Sequence, residues 1–228
     1  MSCSIKICGV TTLEDALIVS EAGADYLGVL VNVSVSPRSL TVEETSEIFN
    51  SITCPAVLLT FDLPPEQVIE MGRELKPFAI QLAGNESEDD VLKIDTTLGC
   101  EIWKTLHMPV ADEKKVRVST VVNKIKKFTD AGIDRIILDS AVMKGNTMQK
   151  GGTGKTFDWS LAGEIKIQVK TFIFLAGGIT PNNVKEAIVQ VNPDGIDLSS
   201  GVESSPGKKD PQLVKTLFET VKKAELSS

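Results

Sequence analysis

Histidine is almost missing from this 228-residue chain: it occurs once, at His107. A lone histidine excludes a His-rich zinc centre, and the four cysteines (Cys3, Cys8, Cys54, Cys100) form neither a C-x-x-C pair nor a ligand-spaced cluster. No apolar run approaches the roughly 20 residues that cross a bilayer, and Met1 to Lys6 lacks the apolar core of a secretory signal. The expectation is a cytoplasmic protein with reduced thiols, no metal and no membrane partner. Basic excess is missing too. Lys and Arg total 24 against 31 Asp and Glu, a net charge of −7, which argues against nucleic acid as the partner but leaves room for a local basic pocket. There is no linker, charge block or low-complexity stretch. With 42% hydrophobic residues, a chain of this length buries roughly 70% of its unfolded surface and needs no disulfide staple. One domain over 1–228 is expected, with a frayed tail at 225–228.

What is present is periodic. Short segments rich in Val, Ile and Leu begin near Ile5, Asp25, Ala56, Phe78, Glu101, Asp134, Thr171 and Asp194, about 27 residues apart. That spacing is one strand, one helix and two short loops, the repeat of a parallel sheet. Helix signals fall between them. Thr12 precedes Leu13 and the pattern stops at Gly23; Thr41 and Glu44 fit a capping box; Asp158 can cap from Trp159; Thr180-Pro181 reads as an N-cap with proline in the first turn. Eight such units point to a closed (β/α)8 TIM barrel, with an open doubly wound sheet as the alternative. In a barrel, chemistry gathers at the C-terminal ends of the strands.

Polar residues collect at those ends. The Gly177-Gly178 and Ser199-Ser200-Gly201 loops offer backbone N–H groups free of side-chain obstruction, which suits a phosphate; tight βα turns explain the same glycines without a ligand. The run from Gly151 to Thr156 is not a nucleotide loop, because Gln149 stands where that pattern needs glycine. The polar stretch from Asp139 to Asp158 reads as a lid over a site or as a solvated surface loop. Alternation puts Lys6 and Cys8 on one face of the first strand, where the lysine favours thiolate and lowers a pKa that starts at about 8.5. A small buried hydrophobe is the other reading of Cys8. Asp139 ends the apolar run Ile136-Ile137-Leu138, so its carboxyl is either desolvated into a proton donor or caps the following loop.

These strand ends resemble the phosphoribosylanthranilate isomerase family nearly end to end. The resemblance rests on Lys6-Ile7-Cys8-Gly9, Ala22-Gly23-Ala24-Asp25, Ser36-Pro37-Arg38 and Phe157-Asp158-Trp159. It continues through Leu175-Ala176-Gly177-Gly178-Ile179, Asp197-Leu198-Ser199-Ser200-Gly201-Val202-Glu203 and Pro206-Gly207-Lys208-Lys209-Asp210. It implies a (β/α)8 barrel and a cofactor-free Amadori rearrangement of a small phosphorylated substrate. By position Cys8 is the implied base and Asp139 the implied acid. Arg38 is implied to hold the anthranilate carboxylate, Gln81 to line the anthranilate side and Asp197 to orient the substrate. Gly177, Gly178, Ser199, Ser200 and Gly201 are implied to hold the phosphate.

The chain departs from the family's pattern around the aromatic end. Ala83 stands where the family writes histidine after Gln-Leu, Val31 to Val35 is one residue longer than usual, and Val57 to Phe61 lacks the usual Val-Asn ending. A paralogue acting on another aminodeoxy-ribose phosphate and a non-catalytic phosphosugar-binding barrel are the competing readings. Monomer and homodimer both remain open.

Overall fold

Each apolar segment that periodicity marks as a strand is followed by a helix, and most of the helices start on a side-chain cap. Thr12 accepts from the Asp15 amide at 3.1 Å to open α1 (Leu13–Glu21). Thr41 and Glu44 form the predicted capping box of α2 (Val42–Phe49), Asp158 caps α6 (Trp159–Lys166) and Asp210 caps α8 (Pro211–Glu225). The remaining helices are α3 (Pro65–Leu75), α4 (Glu88–Thr97), α5 (Val118–Asp130) and α7 (Val184–Val191). The computed structural model describes residues 3–110, 116–144, 147–150 and 156–226, with the backbone alone for 142–144 and 147–150.

Eight parallel strands alternate with these helices: β1 (Ser4–Ile7), β2 (Tyr26–Val31), β3 (Ala56–Thr60), β4 (Ala79–Leu82), β5 (Glu101–Pro109), β6 (Arg135–Lys144), β7 (Phe172–Leu175) and β8 (Gly195–Leu198). Their starts fall within one residue of the predicted positions. Lys6 on β1 is in register with Asp197 on β8 and with Tyr26 on β2, so the first strand is paired on both edges and the barrel is closed. That closure excludes the open doubly wound sheet.

Side chains divide by strand face. Outward residues such as Ile7, Leu27, Leu58, Ile80, Ile102 and Ile136 pack under the helices in one large core. Inward, Val57, Ala79, Trp103, Ile137 and Phe174 fill the barrel. At its N-terminal end Arg135 lies over the rings of Tyr26, Trp103 and Phe172 at 5.0, 5.0 and 4.7 Å, and it forks onto Glu101 at 2.7 and 3.0 Å. These cation–π contacts plug that end, and among the described residues the interior opens at the C-terminal strand ends.

Three local expectations need correction. Helix α7 starts at Val184, not at Pro181, because Asn183 accepts from the Thr180 amide at 2.8 Å and donates to the Gly178 carbonyl at 3.0 Å, holding 181–183 in a turn. The stretch after Asp139 is not one long loop. β6 runs on to Lys144 and pairs antiparallel with Thr147–Lys150, while the glycines at 151, 152 and 154 lie outside the described residues. Glu225 does not fray: it ends α8 and accepts from the Cys3 amide at 2.6 Å; residues 227–228 lie outside the description.

Gly195 opens β8 directly beside the Phe174 ring, and an added methyl would stand 2.3 Å from a ring carbon. Gly195→Ala therefore overpacks the barrel and should lower stability by about 1–3 kcal/mol in urea unfolding. An unchanged midpoint would show that the ring has room to move.

Candidate active site

The open end of the barrel holds a cavity of about 770 Å³. All ten residues singled out in the sequence line it: Cys8, Arg38, Gln81, Asp139, Asp197, and the Gly177-Gly178 and Ser199-Ser200-Gly201 loops. For Cys8, Gln81, Asp139 and Asp197 strand alternation explains why, since inward positions recur every second residue and the last of them faces the mouth. Arg38 and the two glycine loops belong to the segments that follow the strands.

The floor is an ion pair. Lys6 Nζ donates to both carboxylate oxygens of Asp197 at 3.0 and 2.9 Å, and the Lys6 side chain is fully buried. Burial alone would draw the lysine pKa down, but Asp197 and then Cys8 outweigh it, so the net shift is upward and the ammonium persists. Gly28 on β2 leaves space for this arrangement: a methyl there would meet Cys8 Sγ at 2.8 Å and Lys6 Nζ at 3.0 Å.

Cys8 sits above the pair, and here the electrostatic expectation is reversed. Burial pushes its thiol above the ordinary 9.0; Lys6 opposes this, Asp197 adds to it, and the net direction is up. The lysine expected to create a thiolate is already matched to a carboxylate, so desolvation wins. Asp139 behaves as its apolar strand suggests. Burial first, then the Asp197 charge, push its pKa up to about 7, against the Ser140 backbone N–H and Lys6, which act the other way.

The glycine loops pack tightly against each other. Gly177 and Gly178 adopt φ of +82° and +67°, a left-handed conformation that favours glycine. An added methyl on Gly177 would stand 2.5 Å from the Ser140 amide, and one on Gly201 would stand 2.0 Å from the Ile179 carbonyl oxygen. Opposite these loops, Leu30, Val33, Leu59, Phe61 and Ala83 make an apolar wall. Gln81 donates to Thr105 Oγ1 at 3.0 Å, and its Oε1 is buried without a hydrogen-bond partner. Arg38 stands at the rim with its fork on Glu203 at 2.9, 3.2 and 2.6 Å.

Sequence reasoning missed two parts of this site. His107, dismissed as a metal ligand, lines the cavity in register with Asp139, and its Nε2 lies 2.8 Å from the Ala83 carbonyl oxygen. A carbonyl only accepts, so Nε2 carries the hydrogen. An imidazole thus reaches the backbone at position 83 from the neighbouring strand. Alternation along Trp103, Thr105 and His107 was the signal that could have found it. The second omission is Glu203 with Lys209, which no strand-end reading reaches because they lie on the Glu203–Ser205 and Lys208–Lys209 hairpin after β8. Among the described residues no group of three or more His, Cys, Asp or Glu is arranged to hold a metal ion, and no helix is long and apolar enough to cross a membrane.

Fold and mouth together define the class: a (β/α)8 barrel whose C-terminal pocket sets a partly desolvated carboxyl and a thiol among glycine-rich βα loops. Residues 5–220 match the family model of N-(5′-phosphoribosyl)anthranilate (PRA) isomerase. The N-(5′-phosphoribosyl)anthranilate isomerase of Methanocella arvoryzae is 36% identical over 222 residues, covering 96% of this chain and 97% of that one. That of Trichlorobacter lovleyi is 37% identical, covering 96% and 98%. The crystal structure of phosphoribosyl anthranilate isomerase from Thermotoga maritima superposes with a TM-score of 0.80 at 30% identity, covering 97% of this chain and 99% of that one. The chain belongs to the phosphoribosylanthranilate isomerase family.

The Asp139 shift has a stability consequence with a fixed sign. Because its folded pKa lies above the ordinary 3.8, the folded state holds this proton more tightly than the unfolded one, and ionisation between pH 3.8 and about 7 opposes folding. Asp139→Asn should therefore stabilise the protein at pH 8 by on the order of 1–3 kcal/mol after solvent screening, with the gain vanishing below pH ~4. Urea unfolding at the two pH values decides it, and a loss of stability at pH 8 would contradict the shift.

Proposed function

We propose that this chain isomerises N-(5′-phosphoribosyl)anthranilate to 1-(2-carboxyphenylamino)-1-deoxyribulose 5-phosphate in tryptophan biosynthesis, with Asp139 as general acid and Cys8 as general base. The observation that carries this is a carboxyl with a pKa of about 7 and a thiol lining one cavity beside two glycine-rich loops. Two relatives at 36% and 37% identity are N-(5′-phosphoribosyl)anthranilate isomerases. A phosphoribosyl anthranilate isomerase solved with reduced 1-(o-carboxyphenylamino)-1-deoxyribulose 5-phosphate shares the fold at a TM-score of 0.78 and 28% identity.

In this scheme the phosphate lies on the amides of Gly177, Gly178, Ser199, Ser200 and Gly201, and the aromatic ring lies on the Leu30–Leu59–Phe61 wall. Arg38 holds the ring carboxylate, for which its planar fork is suited. The buried, unpartnered Oε1 of Gln81 accepts the anilino N–H. Asp139 gives its proton to the furanose ring oxygen as the bond from C1′ breaks, and the nitrogen lone pair forms the C=N bond. Cys8 as thiolate then removes the C2′ proton, and the released electron pair neutralises the iminium to give the enolamine. Protonation at C1′ with loss of the C2′ hydroxyl proton yields the ketone. Asp197, held by Lys6, orients the substrate's hydroxyls from below. No step calls for a cofactor.

Every residue in the scheme comes from one chain, so monomer and homodimer serve it equally. The proposed setting is the cytoplasm, which suits four unpaired cysteines.

The pH profile carries the test. The reactive form needs Asp139 protonated, with a pKa of about 7, and Cys8 ionised, with a pKa above 9.0. Below 7 the thiolate fraction grows with pH while Asp139 stays protonated, so kcat/KM rises; above 7 the two fractions change oppositely and the rate levels off. Asp139→Asn should lose about 10²–10⁴ in kcat and keep rising past pH 7, and Cys8→Ser should lose a similar factor. Loss of anthranilate-conjugate fluorescence measures turnover. Near-normal turnover in either variant would remove that residue from the scheme.

A further inference from the structure

The hairpin between β8 and α8 carries a charged pair to which the proposed chemistry assigns no role. Lys209 Nζ donates to the Cys8 carbonyl oxygen at 2.7 Å and to Glu203 Oε1 at 2.8 Å. The same carboxylate receives the Arg38 fork. The Lys209 side chain is 0% exposed, Glu203 3% and Arg38 14%. Buried charges are costly unless each is matched, and this cluster matches them with a shared anion. Burial alone would raise the Glu203 pKa, but Arg38 and Lys209 hold it below the ordinary value, so the carboxylate remains charged.

Geometry makes the pair more than a local staple. Cys8 belongs to the loop after β1, Arg38 to the loop after β2, and Glu203 and Lys209 to the far end of the chain. Three hydrogen-bonded links therefore run Cys8–Lys209–Glu203–Arg38, from the main chain of the thiol to the guanidinium at the rim. Thr11 anchors the hairpin tip from a third side, donating to the Gly207 carbonyl at 2.7 Å. Two cations against one anion leave the cluster with one net positive charge at the cavity edge. Among the described residues, the hydrogen bonds from Arg38 to Glu203 use Nε and Nη2 and leave Nη1 for a ligand.

We propose that Glu203 and Lys209 are positioning residues: Glu203 holds the Nε–Nη2 edge of Arg38 so that its free Nη1 end receives the substrate carboxylate, and Lys209 ties that guanidinium to the backbone carrying Cys8. This rests on the reading of Arg38 as the carboxylate site and of the protein as an isomerase. The net positive charge of the cluster is neutralised when the anionic ring binds, so the arrangement selects for an acidic group at that end of the substrate.

A double-mutant cycle tests this, starting from wild-type turnover of phosphoribosylanthranilate. No wild-type turnover would overturn the isomerase reading itself. With turnover established, Glu203→Gln should raise KM about 10- to 100-fold, the range of a lost charge-assisted hydrogen bond, with kcat changed far less. In an Arg38→Met background the same change should move KM less than about twofold, because the group it positions is gone. The pair Glu203→Gln/Lys209→Met removes the fully buried lysine together with its partner, leaving only the rim Arg38 charged, and should add about a tenfold loss in kcat through Cys8. It also carries the KM test if Glu203→Gln alone does not fold. An unchanged KM, or an equal KM effect in both backgrounds, would overturn the positioning role.

Discussion

The site is organised around one buried ion pair. Lys6 and Asp197 face each other across the seam where the first and last strands meet, at 2.9 and 3.0 Å, with the lysine out of contact with solvent. A lysine or carboxylate alone at this depth would shed its charge or unfold the barrel, so each makes the other tolerable. The pair also fixes the electrostatics above it. Its negative end adds to the burial that keeps the Asp139 proton in place, and its positive end only partly offsets the burial that keeps Cys8 protonated. An acid is held ready while the base is held in reserve. Ligand binding has to supply what the free site withholds.

Around this centre the molecule divides its two ends by function. At the N-terminal end Arg135 and the rings of Tyr26, Trp103 and Phe172 fill the interior, a region that contributes stability. At the other end small residues dominate wherever loops must meet: Gly28 beside Cys8, Gly177 against Ser140, Gly201 against Ile179. Charges there come in bonded sets, Lys6 with Asp197 and Lys209 with Glu203 and Arg38, so that the polar mouth is rigid as well as charged. Rigid placement of charge is what lets a site act on a developing charge without reorganising.

Much of this is legible in the amino-acid sequence, for identifiable reasons. Strand spacing near 27 residues and capping at Thr12, Thr41 and Asp158 are local signals, and they placed the elements to within a residue or so. Inward alternation then carried Cys8, Gln81, Asp139 and Asp197 to one mouth, because period-two geometry and the barrel rule need no partner information. The failures are non-local. Alternation gives Lys6 its contact with Cys8, two residues away, but not the carboxylate that matches its charge, Asp197, 191 residues along the chain. Asn183 shifts the start of α7 through bonds to the Gly178–Thr180 turn, which no helix pattern encodes. Glu203 and Lys209 sit on a hairpin outside the strand repeat, and their partners Arg38 and Cys8 come from the opposite end of the sequence. His107 was weighed only as a metal ligand, and its place beside Asp139 follows from register rather than composition.

Asp139 as a carboxylic acid that stays half protonated near neutrality is the claim on which the chemistry turns. It is accessible directly, without turnover, by following aspartate carboxyl carbons by ¹³C NMR across a pH titration of the folded protein. One aspartate should titrate with a midpoint near 7, as burial and Asp197 dictate, and that resonance should be missing from the Asp139→Asn protein. If the Asp139 resonance has completed its titration by about pH 5, as an ordinary aspartate does, the carboxyl is not the acid described here.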